Sequence, residues 1–189
     1  METIPGNRAV TTGKPDRKED KKEKCVCEAR VRAFMRMLRV KEGTEGESGY
    51  KKRYGGTFTD MRTHPQIKTT SGGYTSSAAG AYQIMGYTYD WLNGKEFDKK
   101  NKPTGGYNKN HDYIKKYNIP DFTQESQDKL CVIILKHKRS SNFLDLITQN
   151  RIQEALENMV VMNGLAYPRV DMGNPIKPWK THYLIIINF

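Results

Sequence analysis

Nowhere in the 189 residues does an apolar run approach the roughly 18 residues that a membrane-spanning helix needs, and the apolar C-terminal stretch Tyr183 to Phe189 is far too short. The N-terminus shows no apolar segment ahead of a small-residue cleavage site, so no ordinary secretory signal is visible. Work outside the cell of origin then requires release by lysis or delivery by a secretion system. Cysteine is scarce as well. Cys25, Cys27 and Cys131 make an odd count that does not build a disulfide framework. Cys25 and Cys27 are one residue apart, a spacing neither of redox pairs nor of zinc knuckles, and no second Cys/His pair follows at finger spacing. No metal and no other cofactor is expected. Acidic residues are the minority charge, 21 against 32 basic ones, for a net charge of +11. Such an excess favours an anionic partner: nucleic acid, anionic lipid or a bacterial wall polymer. With no helix-turn-helix, zinc or RNA-binding signature, nucleic acid is not the expected partner. Membrane insertion is not expected either.

Hydrophobic residues at 36% nevertheless suffice for one folded core. Residues 1–27 are almost devoid of apolar content and read as a flexible polar tail or linker, with the domain occupying 28–189. Val31, Phe34, Met35 and Leu38 recur at i, i+3, i+4, i+7, the spacing of a buried helical stripe, and Glu42-Gly43 supplies the stop. Residues 43–86 are rich in Gly, Thr, Ser and Tyr, with short β-type pieces at Gly56–Thr59 and Ala81–Ile84, which suggests a small antiparallel sheet with long loops. Helices are expected at 87–93, at 124–138 behind Thr123 as N-cap, at 143–148 and at 151–162. Cys131 lies within the apolar run Leu130 to Leu135 and reads as a buried thiol. The stretch from Lys95 to Tyr117, where Tyr107, Tyr113 and Tyr117 are interleaved with Lys and Asn, reads as a decorated loop or as an extra wall contact, and 169–189 as a C-terminal extension of unassigned role. Helix, small sheet, then several helices is an α+β order.

Glu42 is the residue whose position carries chemistry. At the C-terminal end of the first helix the dipole presents negative charge, and burial there adds a desolvation cost; both favour the protonated carboxyl. A raised pKa suits a general acid. Cleavage of a glycosidic bond needs one, because the leaving oxygen must be protonated as the sugar acquires oxocarbenium character. A Glu before a Gly at a helix end is by itself an ordinary surface residue, so the assignment needs context.

Lys41-Glu42-Gly43-Thr44, Phe58-Thr59-Asp60, His64-Pro65, Ser77-Ala78-Ala79-Gly80-Ala81-Tyr82-Gln83 and Asp121 through Asp128 supply it, standing in an order that resembles the phage lambda lysozyme family over roughly residues 28–165. The resemblance implies a lysozyme-like α+β fold, mostly helical, with a small antiparallel sheet flanking the active-site cleft. It implies cleavage of the bond between N-acetylmuramic acid and N-acetylglucosamine in peptidoglycan, by lytic transglycosylation that leaves a 1,6-anhydro end. Glu42 matches the family's catalytic acid. Asp60 has two readings, sugar binding or anchoring of its hairpin. Tyr82 and Gln83 match a cleft-lining segment and are expected either to meet sugar or to pack within the strand. His64, ahead of a proline, reads as a turn residue rather than a proton shuttle, while Ser126 and Gln127 are expected to tie the long helix to its neighbours.

An inverting hydrolase would need a second carboxylate, and the segment after Glu42 contains no Asp, only Glu45 and Glu47. The sequence therefore leans to the transglycosylase. Departures from the family lie at Met162 to Pro168, in the long 95–117 loop and in the C-terminal extension. A competing reading is a catalytically inactive peptidoglycan-binding module of the same fold. For biological role, an endolysin and an interbacterial toxin both fit; a toxin would bring a cognate immunity or inhibitor protein as partner.

Overall fold

The computed structural model describes residues 17–98, 102–137 and 142–162. The first part of the expected tail, 1–16, and the extension 169–189 lie outside them. Helix α1, Arg17–Lys41, starts well ahead of the expected Glu28. Its first turns are made of Arg, Lys, Glu and Asp, of which Arg, Lys and Glu are good helix formers. Low apolar content argued against burial there and said nothing about helicity. From Val31 onward the stripe appears as expected: Phe34, Met35 and Leu38 are buried and Val31 is packed at their margin.

The expected small antiparallel sheet takes the form, among the described residues, of three two-stranded ladders: β1 (Lys52–Arg53) with β2 (Gly56–Thr57), β3 (Thr69–Ser71) with β4 (Tyr74–Ser76), and β5 (Asn93–Phe97) with β6 (Pro103–Asp112). The expected strand piece Ala81–Ile84 is a tight turn, closed by reciprocal bonds of 3.0 and 2.9 Å between Ala79 and Ile84. Its apolar residues are buried because the turn points into the core. Within the 95–117 stretch the described residues form the antiparallel β5–β6 pair, followed by the short helix α3 (Tyr113–Lys116) and preceded by α2 (Gly86–Leu92).

Helices α4 (Gln124–His137), α5 (Phe143–Thr148) and α6 (Ile152–Met162) complete the described chain. At the start of α4 the Thr123 carbonyl accepts from the Gln127 amide at 2.8 Å, the N-cap position expected of it. The Thr123 hydroxyl donates to Asp121 instead of capping. Leu130, Cys131, Ile133 and Ile134 face the core, and burial pushes the Cys131 thiol pKa far up, so it is inert at neutral pH. Helix α5 packs against α1, α4 and α6, with Phe143, Leu146 and Ile147 all buried. Gln127, fully buried, links three segments: its carbonyl accepts from Ala81 N at 2.8 Å while its amide donates to Tyr50 O and Phe122 O. Such a satisfied buried amide specifies how α4 meets the turns on the other side of the core.

Candidate active site

The end of α1 is built as a Schellman closure. Gly43 adopts φ +62°, its amide donates to Val40 O at 3.1 Å, and the Thr44 amide donates back to Arg39 O at 2.9 Å. Glu42 is thereby the last residue whose direction the helix dictates. Thr44 is buried, and its hydroxyl donates to Ala81 O, fastening the helix end to the Gly80–Gln83 turn.

The loop beyond Glu42 is held by the helix itself. The Arg39 guanidinium donates to Thr44 O at 3.0 Å, to Gly46 O, and to Tyr50 Oη at 3.0 Å, while standing 4.3 Å from the Tyr50 ring centroid. Tyr50 passes the contact on, donating to Asp128 Oδ1 at 2.9 Å, and Tyr82 donates to the same oxygen at 2.6 Å. Lys52 Nζ donates to Gly43 O on the outer side. One helix residue, two tyrosines and an α4 carboxylate thus clasp the segment that follows Glu42.

Within that clasp the Glu42 carboxyl is unusual. Its Oε1 is buried without a hydrogen-bond partner, and desolvation pushes its pKa up to about 8. An unpartnered buried carboxylate oxygen is costly, and the protonated form relieves the cost. At neutral pH Glu42 is a loaded proton donor.

The other expected residues sit differently. Asp60 is exposed, paired with Arg62 at 2.6 Å, and the Arg62 side-chain and backbone donors hold its carboxyl down to about 2. Tyr82 is 2% exposed, so of its two readings burial fits packing. Gln83 is buried at φ +45°, and its amide donates to Gly80 O at 2.8 Å, bracing the turn from within. The structure brings Glu42 and the Tyr82–Gln83 turn together through Thr44, and leaves Asp60 outside that network.

His64 is a core residue rather than a turn residue. It is 1% exposed, stacks on Tyr89 at 5.3 Å and meets Phe122 edge-on at 5.0 Å. Nδ1 accepts from the Gln66 amide, so Nε2 carries the proton and donates to Ile84 O at 2.7 Å. Burial lowers its pKa to about 4. Sequence reasoning missed Arg39, Tyr50 and Asp128. The available signal was an aspartate beside Gln127 on the core-facing side of an apolar helix, where a carboxylate needs donors from elsewhere. Among the described residues no group of three or more His, Cys, Asp or Glu side chains is placed to hold a metal ion.

The family model for endolysins matches residues 32–166, most of the chain. Among solved structures, the lysozyme from bacteriophage lambda is 26% identical with a TM-score of 0.53, over 74% of this chain and 83% of that one. A bacteriophage lambda lysozyme complexed with a chitohexasaccharide is 25% identical with a TM-score of 0.51, over 77% and 83%. No curated protein matches the chain significantly.

Proposed function

The chain belongs to the endolysin family, and from that premise we propose that it cleaves peptidoglycan between N-acetylmuramic acid and N-acetylglucosamine as a lytic transglycosylase, with Glu42 as both general acid and general base. The observation that carries the proposal is the buried, unpartnered Glu42 oxygen, whose carboxyl keeps its proton up to a pH of about 8. The solved phage lysozyme with a chitohexasaccharide bound supports an N-acetylated, β-linked glycan as the substrate class.

In the first step protonated Glu42 gives its proton to the glycosidic oxygen as the bond from that oxygen to the muramic acid C1 breaks. The carboxylate that remains then takes the proton of the muramic acid's own C6 hydroxyl while that oxygen bonds to C1. A 1,6-anhydro ring forms, Glu42 is protonated again, and no water enters the products. Among the described residues, the carboxylates Asp60, Glu45 and Glu47 are poor candidates for a second base, which favours this course over hydrolysis. Asp60, held as an ion near a pKa of 2, is a weak proton acceptor, and Glu45 and Glu47 are exposed. An inverting hydrolase would need such a base about 6.5–9.5 Å from the acid to hold a water.

Mass spectrometry of soluble fragments from purified peptidoglycan tests the reading. The expected products are one water lighter than hydrolysis products and are absent with Glu42→Gln. Fully hydrated fragments would make the chain a hydrolase and direct attention to Glu45, Glu47 and Asp60. No fragments from the wild type would replace catalysis with wall binding. The place of action on this reading is the bacterial wall, reached by lysis or by a secretion system.

A further inference from the structure

The β5–β6 hairpin carries a second feature, away from the Glu42 clasp. Its register is Lys95 opposite Tyr107 and Asn93 opposite Asp112, so β6 uses five steps where β5 uses two. The surplus is thrown out as a bulge at residues 108–111. The bulge is fixed rather than loose. Gly94, at φ +77°, lets it close down, since a Cβ there would stand 2.8 Å from both Asn108 O and the Tyr107 ring. The Asn108 side chain accepts from the Asn110 amide at 3.0 Å, and Tyr107 Oη donates to Asp112 Oδ2 at 2.6 Å across the base. Asp112 Oδ1 in turn accepts from the Lys115 amide, which sets the direction of α3.

Between bulge and α3 lies a hollow of about 430 Å³ lined by Tyr107, Lys109, Asn110, Asp112, Lys115 and Lys116. Three lysines line it from two walls, Lys109 from the bulge and Lys115 and Lys116 from α3. None of the three has a carboxylate partner among the described residues. The only carboxylate of the lining, Asp112, already accepts on both oxygens. Lys116 is further oriented by lying 5.9 and 5.8 Å from the Tyr113 and Tyr117 ring centroids. The hollow is therefore a fixed, net-cationic, hydroxyl- and amide-bearing concavity in which lysines are left without counter-charge.

We propose that this hollow binds successive phosphates of a polyol- or sugar-phosphate polymer of the bacterial envelope, tethering the chain beside the glycan it cleaves. Ammonium groups suit phosphate as mobile point charges, and charge arriving from two walls suits a repeating anion better than a single one. The Tyr107 hydroxyl and the Asn110 amide offer complementary contacts to the hydroxyls of the repeating unit. Neither Glu42 nor its clasp contributes to the hollow, while the choice of an envelope polymer as occupant rests on the peptidoglycan-cleaving reading.

The test uses the full chain with Glu42→Gln, so that turnover cannot confuse binding, and a glycerol-phosphate oligomer as probe, read by titration calorimetry at low salt. Saturable binding is expected, weakened roughly tenfold by Lys109→Gln/Lys115→Gln/Lys116→Gln, whose exposed side chains leave the melting temperature unchanged. No saturable binding, or binding that the triple variant retains, overturns the proposal. Two controls separate the sources of phosphate. A single-stranded oligonucleotide of equal charge bound as tightly and equally weakened by the triple variant would make the hollow a general polyanion patch. Inorganic phosphate that competes at the same phosphate concentration would make it a site for the free ion.

Discussion

Two buried titratable side chains have pKa values displaced in opposite directions, and their effects on stability can be separated by pH. His64 has a folded pKa of about 4 against 6.5 for the free group. A depressed imidazole pKa means that the unfolded chain takes up the proton first, so stability is full above 6.5 and is lost as pH falls toward 4, by up to roughly 3 kcal/mol. Glu42 runs the other way: its folded pKa of about 8 lies above the free value of 4.5, so stability is full below 4.5 and declines as pH rises through 8. Between 4.5 and 6.5 the two slopes oppose each other. Glu42→Gln removes one of them. The variant should be more stable than the wild type at neutral pH by up to roughly 3 kcal/mol, with the gain vanishing below pH 4.5, as followed by urea denaturation across pH. A gain that is flat with pH would mean that Glu42 is not protonated in the folded state. Activity should mirror the same ionisation, kcat/KM falling as pH rises past about 8 because the acid has lost its proton. At this scale the place of Glu42 at the end of α1 and the upward direction of its pKa were legible from the apolar stripe and the glycine stop, while its catalytic role is a proposal that needed the surrounding motifs. His64 was not, because a histidine before proline looks like a turn residue until Ile84 and Gln66 are brought to its two ring nitrogens.

Elements built on an apolar period of 3.6 were readable because burial writes that period into the chain. The stripe Phe34, Met35, Leu38 of α1 and the run through Leu130 and Ile134 of α4 are examples. The β5–β6 hairpin was not, since its residues are polar, Gly- and Asn-rich and largely exposed, and its pairing rests on backbone bonds and a bulge rather than on alternation. The clasp around the loop that follows Glu42 was equally hidden, for Arg39, Tyr50 and Asp128 meet only after α1 and α4 pack. Its role can be measured at the end of α1. Gly43→Ala forces a Cβ into φ +62° and should cost about 1 kcal/mol in thermal or chemical unfolding, with no clash to add, because open space surrounds that position. Arg39→Ala should act differently. It frees Thr44 O, Gly46 O and Tyr50 Oη together, loosening the segment that follows Glu42, and is expected to lower kcat at least tenfold with a smaller change in KM. Equal losses in kcat from Arg39→Ala and from an exposed control, Arg36→Ala, would show that the clasp does not position the loop.

For the molecule as a whole, net charge decides where it spends its time. A surplus of 11 positive charges over 189 residues gives long-range attraction to any polyanionic surface, and on the proposed reading it would raise the local concentration of the chain on the envelope without touching the chemistry assigned to Glu42. Attraction of this kind reaches about a Debye length, some 10 Å at 0.1 M salt and 3 Å at 1 M. The Glu42 proton, which the proposed mechanism uses, belongs by contrast to a desolvated group that bulk ions screen little. Salt should therefore separate the two contributions. On intact envelope preparations, activity should fall several-fold between 0.05 and 0.5 M sodium chloride, roughly the range over which exposed charges are screened, while cleavage of a short, soluble, uncharged glycan should stay within about twofold. If both substrates lose activity in parallel, salt is acting on the catalytic site itself and the surface charge has no steering role. If neither loses activity, the positive surplus does not steer encounter with the wall.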